Sequence, residues 1–145
     1  MTKTIIDKNN LRPILRKVTA EDQELIRDWK NKHSHFFFHK DKISSDQQKQ
    51  WFDDYSKRPD DHLFIVQVNT LAIGCIGIRL IENKWDLYNV IRGIEQDNTK
   101  GRMSSALHEL LKLAQLNKER PITLKVLINN PAYEWYKKNK FHTIE

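Results

Sequence analysis

Residues 94–105 read Ile-Glu-Gln-Asp-Asn-Thr-Lys-Gly-Arg-Met-Ser-Ser. An apolar segment from Trp85 to Ile94 precedes this polar turn, and a stripe of apolar residues at helical spacing begins at Met103, so the pattern predicts a strand, a turn and a helix. Such a junction directs free backbone N–H groups and the positive end of a helix dipole at one point, which suits a phosphate or pyrophosphate. An ordinary helix start with solvated basic residues is the alternative.

Polar side chains around the single glycine of this turn favour the anion site. Lys100 and Arg102 flank Gly101, and Ser104 and Ser105 lie in the first turn of the predicted helix. They would add positive charge and hydroxyl donors to the backbone N–H groups.

Hydrophobic periodicity predicts strands and helices along the rest of the chain. The helix starts carry capping signals, and Ser45 with Gln48 is the cap that we expect for the second helix. The order indicates an α/β (α+β) fold with helices against a mixed sheet. The predicted elements are a strand at 14–18, helices from 20 and 45, strands at 63–68, 71–81 and 85–94, a helix at 103–114, a strand at 123–128, a helix from 131 and a closing strand from Phe141.

Length and composition are those of one globular domain. The chain has 145 residues, of which 39% are hydrophobic and 30% charged, and its mean hydropathy is −0.72. No apolar run approaches the roughly 20 residues of a transmembrane helix, and the first residues lack the apolar block of a signal peptide, so we expect a cytoplasmic protein. Cys75 stands alone in an apolar segment, which predicts a buried, reduced thiol.

The positive charge is concentrated in the last third of the chain. Residues 1–99 carry 16 basic and 15 acidic side chains, whereas residues 100–145 carry 9 basic and 4 acidic ones, a balance of +5 out of +6. A local excess of this kind attracts an anionic partner, either a polyanion or a small phosphate-bearing molecule.

A second segment, residues 126–141, contains a strand, the pair Asn129-Asn130, a proline and an aromatic helix. Its Asn129, Ala132, Tyr136 and Phe141 fall at the spacing of strand-Asn-x-x-Ala-x-x-x-Tyr-x-x-x-Gly-Phe, with a lysine at the glycine position. This pattern resembles the second signature of the GCN5-related N-acetyltransferases (GNAT). The turn at residues 98–103 is similar to the acetyl-CoA loop of that family, Arg/Gln-x-x-Gly-x-Gly/Ala.

The resemblance covers residues 12–145, which we take as a single N-acetyltransferase domain after an N-terminal extension at residues 1–11. It implies a mixed, mostly antiparallel sheet of six to seven strands with helices on both faces. It also implies acetyl-CoA as the cosubstrate, with its pyrophosphate in the turn at 100–105, its pantetheine along the strand that ends at Ile94 and its thiol near Asn129. The cofactor-binding residues are then expected to be Gly93, Ile94, Asn98, Lys100, Gly101, Arg102, Met103, Ser104, Ser105, Asn129 and Tyr133.

The transfer needs a neutral amine, a donor for the oxyanion and a proton for the departing thiolate. The resemblance assigns the proton donor to Tyr136, whose phenol has an intrinsic pKa of about 10. We favour Glu95 as the general base, while Asp86, Asp97 or a water relay are alternatives.

The acceptor is expected between the first two helices and the strand from Trp85. An amino sugar needs an aromatic face with amide, hydroxyl and imidazole groups, which these two segments contain. The acceptor-binding residues are then expected to be His35, His39, Trp85, Tyr88 and Asn89. Three histidines at 33, 35 and 39 lack a carboxylate or cysteine partner at a metal-site spacing, so no metal is expected.

The stretches around Trp29 and residues 58–61 resemble acetyltransferases that modify amino groups of nucleotide-linked sugars, and also those that modify protein N-termini. We favour the sugar. A small-molecule amine is therefore the expected partner, with no nucleic acid and no membrane, and a homodimer is common in such families. A catalytically silent CoA-binding domain and a basic nucleic-acid-binding module are the competing classes, although no recognised nucleic-acid motif is present.

Overall fold

The computed structural model of the chain describes residue 2 and residues 13–37, 41–94 and 101–144. Five strands form one sheet in the order β1-β2-β3-β4-β5. The elements are β1 (Ile14–Lys17), α1 (Gln23–Lys32), α2 (Ser45–Tyr55), β2 (Asp61–Val68), β3 (Leu71–Ile81), β4 (Lys84–Arg92), α3 (Arg102–Asn117), β5 (Ile122–Leu124) and α4 (Ala132–Lys138).

The first four strands form an antiparallel meander. β3 and β4 are joined by the two-residue turn Glu82-Asn83, in which both residues have positive φ, 50° and 63°. That conformation gives a hairpin turn whose twist matches the strands. Asn69, with φ 55°, begins the turn between β2 and β3. Both turns fall in the gaps between the predicted strands at 63–68, 71–81 and 85–94.

The sheet is covered on both faces, as the resemblance implies. On one face, α3 buries Met103, Ala106, Leu107 and Leu110 against the sheet. On the other face, α1 and α2 pack over Leu63, Ile65 and Cys75. Burying the apolar stripe of every helix in this way supplies most of the free energy that opposes chain entropy.

The fifth strand pairs with β4 in parallel and only over a short length. Trp85, Asp86 and Leu87 lie beside Ile122, Thr123 and Leu124. A parallel pair requires a crossover connection, and α3 provides it. Trp85 fixes the paired end, because its ring is only 1% exposed and its Nε1 donates to the Lys118 carbonyl at 2.8 Å.

The predicted order of elements and the mixed, mostly antiparallel sheet are confirmed, with differences of detail. The described residues contain five strands rather than six to seven, and β5 ends at Leu124 rather than at Ile128. Residues 141–144 have no regular structure, so the strand expected from Phe141 is not formed there. The Phe141 ring instead packs edge-on against Tyr136, with centroids 5.7 Å apart.

The cap of α2 lies one residue earlier than predicted. Ser44 is the N-cap and accepts from Gln47 N at 3.1 Å, while the Gln47 side chain accepts from Ser44 N at 2.9 Å. Gln48 is buried instead, and its amide donates to Gln23 of α1 at 2.8 Å. The pairs Ser44–Gln47 and Ser45–Gln48 have the same three-residue spacing, so only the burial of Gln48 shows which pair caps the helix.

Tyr88 lies flat across β3 on the face that α1 and α2 cover. Its ring occupies the space above Gly77, where an added Cβ would come within 2.7 Å of Tyr88 Cε1. The Arg79 guanidinium lies 4.4 Å from the ring centroid, and the Tyr88 hydroxyl donates to Asp61 of β2. The absence of a side chain at Gly77 therefore allows the Tyr88 side chain of β4 to cross β3 and reach Asp61 of β2.

We expect Gly77→Ala to lower the free energy of unfolding by about 1–3 kcal/mol, because the methyl group overlaps the Tyr88 ring. In a Tyr88→Ala background the same change should cost much less, since the overlapping ring is gone. Urea unfolding of the four proteins of this cycle measures the coupling. Equal losses in both backgrounds would contradict this packing of Tyr88.

Candidate functional site

The strands β4 and β5 separate halfway along β4. Their pairing ends at Leu87 and Leu124, whereas β3 follows β4 as far as Arg92. From Tyr88 onward, one edge of β4 therefore has no strand beside it among the described residues. We call this opening the β4–β5 gap.

A bulge in β4 lies at the start of this gap. Gly77 pairs with Tyr88 and Cys75 with Ile91, so two residues of β4, Asn89 and Val90, face one residue of β3. Asn89 has φ 47°, and its carbonyl accepts from the Cys75 thiol at 3.1 Å. Bulges of this type commonly redirect a strand next to a functional site.

Helix α3 begins at Arg102, eight residues after Ile94. Gly101 precedes α3 with φ 79°, and no atom of the described residues lies within 4 Å of an added Cβ there. Ser105 N donates to the Gly101 carbonyl at 3.2 Å, which marks the first turn. Helix geometry gives the N–H groups of Met103 and Ser104 no partner within the helix, so they suit an anion.

The predicted phosphate-binding residues of α3 have different environments. Ser105 is exposed, Arg102 is partly buried, and Met103 is 7% exposed and packs toward Gly74. Met103 can therefore contribute only its backbone N–H to a ligand. Ser104 Oγ accepts from Trp135 Nε1 at 2.9 Å, so its hydroxyl joins two helices.

This Ser104–Trp135 hydrogen bond brings the two sequence signatures together. Trp135 belongs to α4, and Asn139 at the end of the same helix donates to Ser104 Oγ at 3.5 Å. The segment that carries Tyr136 is thus held beside the first turn of α3. Their proximity is what a single binding site requires of two segments that are far apart in sequence.

Tyr136 is 7% exposed and contacts the rings of Trp135 and Phe141. Within the described part of the chain, its hydroxyl makes no hydrogen bond. Burial raises the pKa of the Tyr136 phenol, so the group keeps its proton at neutral pH. The side chain is consequently a neutral donor with no structural partner for its proton.

Gly93 and Ile94 continue β4 along the gap. Their N–H groups both donate to the Ile73 carbonyl, at 2.8 and 3.1 Å, so those two donors are used within the sheet. Gly93 also lies against Trp29 of α1, because an added Cβ would come 2.1 Å from Trp29 Cε2. Trp29 thus fixes α1 on the end of β4.

The loop between α1 and α2 reaches the loop that follows β5. Its short helical turn, Ser34–Phe36, is connected to Asn130, whose Nδ2 donates to the Phe36 carbonyl at 3.4 Å. Asn130 Oδ1 also accepts from Ala132 N at 2.9 Å and so caps α4. One side chain therefore joins the turn at 34–36 to the start of α4.

The predicted acceptor-binding residues are not all in one place. His35 is exposed and its ring is tilted by 45° against that of Phe36 with centroids 3.9 Å apart, and Asn89 lies in the bulge. Trp85 is a core side chain of the α3 face, so its buried ring is unsuited to the acceptor role that we expected. The Tyr88 phenol points to Asp61 on β2 rather than along the gap, where burial and the adjacent Asp61 carboxylate raise its pKa.

Two further predicted residues flank the start of α4. Asn129 is exposed, and its side chain makes no hydrogen bond to any residue that the structure describes. Tyr133 shares a hydrogen bond of 2.8 Å with Thr143, and Lys137 lies 5.1 Å from its ring centroid. Lys140, at the usual glycine position, has φ 71° and keeps the backbone conformation that glycine favours.

Several predicted residues, namely His39, Glu95, Asn98 and Lys100, lie outside the described residues. In the ranges that the structure does describe, no group of three or more His, Cys, Asp or Glu side chains is arranged for a metal ion. Nor does any helix in those ranges have the length and apolar composition needed to cross a bilayer. The buried Cys75 thiol is free, as expected, and burial raises its pKa to about 12.

Two residues of the site were missed by the sequence reasoning. Asn130 follows the signature residue Asn129, and an asparagine before a proline is a general capping signal that says nothing about a distant loop. Trp29 fits the buried stripe of α1, which predicts burial but not the strand that it touches. Gly93 at the end of β4 could have indicated this contact, because a glycine in a strand often marks the close approach of another element.

Solved structures with the same fold come from several organisms. An N-acetyltransferase from Staphylococcus aureus Mu50 has a TM-score of 0.76 at 15% identity, with 92% of this chain and 86% of that chain covered. PaiA N-acetyltransferase from Thermoplasma acidophilum, solved with coenzyme A, has a TM-score of 0.68 at 20% identity, with 88% and 87% covered. A "predicted acetyltransferase" from Clostridium acetobutylicum, solved with acetyl-CoA, has a TM-score of 0.69 at 16% identity, with 92% of each chain covered.

Comparison with functionally curated proteins finds none that is detectably similar in sequence. The model of the acetyltransferase (GNAT) domain matches residues 12–141. That match covers the sheet, the β4–β5 gap, the first turn of α3 and the signature on α4. The chain therefore belongs to the GNAT acetyltransferase family, which confirms the prediction of an acetyl-CoA-dependent N-acetyltransferase.

Proposed function

We propose that this N-acetyltransferase transfers the acetyl group of acetyl-CoA to the primary amine of an amino sugar that is linked to a nucleotide. The observation that carries the proposal is the hydrogen bond from Asn130 to the Phe36 carbonyl. It holds the exposed His35 and the partly buried Phe36 next to the loop between β5 and α4. An aromatic face with imidazole and amide groups at the end of the gap suits a polar ring-shaped acceptor.

The residues along the gap fit acetyl-CoA, which supplies the activated thioester carbonyl. The open space at Gly101 and the first turn of α3 suit the pyrophosphate, and Lys100, Arg102 and Ser105 would hold it together with the backbone at Met103 and Ser104. Asn98 would begin that turn. The edge of β4 that ends at Gly93 and Ile94 suits the amide groups of pantetheine, because it offers backbone without a neighbouring strand. Asn129 and Tyr133 would bound the thiol end.

Tyr136 is the general acid of the proposal. Its phenol is neutral, since burial raises its pKa, and its proton has no partner among the described residues. It can therefore donate to the sulfur as the thioester bond breaks. Glu95, the proposed general base, is the third residue after β4 in sequence, and its carboxylate could take a proton from the attacking amine.

We expect Lys100→Glu with Arg102→Glu to weaken CoA binding at least about tenfold, because two cations near the pyrophosphate become anions. Isothermal titration calorimetry at two salt concentrations measures this. The matched control is Lys49→Glu with Lys112→Glu, which changes the net charge equally at exposed helix positions. Equal weakening in both double variants would indicate a general charge effect and would reject the phosphate site.

We expect Tyr136→Phe to lower kcat by about 10²–10⁴-fold with little change in the KM for acetyl-CoA. The phenylalanine keeps the ring contacts with Trp135 and Phe141, so thermal unfolding should be unchanged. Steady-state kinetics with thiol detection provides the measurement. Full turnover in a normally folded variant would remove Tyr136 from the mechanism.

We expect kcat/KM to be highest for a nucleotide-linked amino sugar, when compared with free amino sugars, polyamines and short peptides. His35→Ala should raise the acceptor KM about 2- to 10-fold through the loss of one hydrogen bond. His108→Ala, an exposed histidine on α3, is the control and should behave as wild type. A preference for peptides would instead favour a protein N-terminal acetyltransferase, and binding of CoA without turnover of any amine would favour a silent domain.

A further inference from the structure

Lys30 occupies an unusual position on α1. Its side chain is partly buried, and its Nζ lies 5.7 Å from the centroid of the Trp51 ring on α2. No carboxylate or carbonyl group in the part of the chain that the structure describes forms an ion pair or hydrogen bond with this ammonium. Burial lowers the pKa of Lys30, which reflects its restricted access to water.

The neighbours of Lys30 have structural roles that Lys30 lacks. Trp29 packs on Gly93 and is 5% exposed. Asn31 binds both backbone polar groups of Ile43. Its Oδ1 accepts from Ile43 N at 2.7 Å, and its Nδ2 donates to Ile43 O at 3.0 Å. Both contacts fix the position of α1 and its following loop, so the ammonium between them is held in place without being neutralised.

Other lysines have partners. Lys118, which is also partly buried, pairs with Asp60 at 3.3 Å, whereas the exposed Lys137 pairs with Glu134 at 3.2 Å. A cation that is partly removed from water is unfavourable unless it is paired or hydrogen-bonded. The Trp51 ring compensates for this only in part, which leaves a site for an anion.

The ammonium lies on the side of the sheet from which the proposed acceptor enters. The Trp51 ring beneath it packs against the same cluster as Cys75, whose thiol donates to Asn89 of the β4 bulge at 3.1 Å. The helix that carries Lys30 leads directly into the turn at Ser34–Phe36, which Asn130 ties to the loop after β5. An acceptor with its amine at the gap can therefore extend over this face to Lys30.

We propose that Lys30 binds a phosphate group of the acceptor and so selects phosphate-bearing amines over neutral ones. The inference rests on the proposed function, because it assigns a role in binding the same acceptor. An ammonium acts as a point charge on a flexible chain, which suits the tetrahedral oxygens of a phosphate. Lys30 would be a specificity residue of the acceptor site with no part in the chemical step.

The test compares Lys30→Met and Lys30→Arg with the control Lys32→Met, an exposed lysine on the same helix. The acceptors are a nucleotide-linked amino sugar, the corresponding amino-sugar phosphate and the free amino sugar. We expect Lys30→Met to raise the KM of both phosphate-bearing acceptors about 10- to 100-fold, the loss of a charge-assisted contact. The KM of the free amino sugar, the KM of acetyl-CoA and kcat should change less than about twofold, and Lys30→Arg should restore most of the loss.

Inorganic pyrophosphate at saturating acetyl-CoA is the second measurement. It should compete with the acceptor in the wild type and in Lys32→Met, and compete much less in Lys30→Met. Thermal unfolding checks the fold. We expect no change, because methionine keeps an aliphatic side chain beside Trp51 and only the charge is lost.

The outcomes separate this inference from the proposed function. Equal losses on phosphate-bearing and free amino sugars, or no loss on either, would overturn the role of Lys30 while the acceptor assignment remains. An effect confined to the nucleotide-linked acceptor, with the amino-sugar phosphate unaffected, would locate the contact on the outer phosphate or the nucleoside. If the wild type acetylates no phosphate-bearing amine and prefers amines with a carboxylate, both proposals fail.

Discussion

The short parallel contact between β4 and β5 is the constraint on which the site depends. Three residue pairs join these strands, and the chain must cross the sheet through α3 to make them parallel. Because β4 continues beyond the last pair and β5 does not, a backbone edge is left without a strand among the residues that the structure describes. Backbone groups at such an edge need water or a ligand as partner, so the divergence itself creates a binding surface.

The two faces of the sheet then carry different parts of the site. On the α3 face, the Ser104–Trp135 hydrogen bond joins the first turn of α3 to α4, the helix that carries Tyr136. On the α1 face, Trp29 and Asn130 hold the loop at residues 33–37 over the other side. The sheet separates the two helical layers, and the β4–β5 gap is the opening between strands that adjoins both layers.

Much of the fold could be predicted from local patterns, because those patterns act over a few residues. The hairpin turn at Glu82-Asn83, the apolar stripe of α3 and the signature around Tyr136 all belong to this class. The extent of β5 could not be predicted, since Thr123 to Ile128 alternates like a strand and only tertiary pairing shows that it ends at Leu124.

The errors in the candidate site have the same physical origin. Trp85 and Tyr88 alternate on one strand, yet one ring is buried under α3 and the other crosses β3 above Gly77. A strand pattern tells that two residues face opposite sides, but it does not tell which side faces the acceptor. The start of α2 shows the same limit for helices. The pairs Ser44–Gln47 and Ser45–Gln48 match the capping pattern equally well, and the sequence does not show which glutamine is buried.

The contact of Trp29 with Gly93 has a thermodynamic consequence. With no room for even a methyl group between them, the end of β4 and the C-terminal half of α1 shift together. A ligand that stabilises one position of β4 therefore stabilises one position of α1, and of the loop that follows it. Linkage requires the effect to be reciprocal, so the occupancy of each side of the gap changes the affinity of the other by the same factor. Two substrates bound on opposite faces of this sheet would thus be thermodynamically coupled through one indole ring.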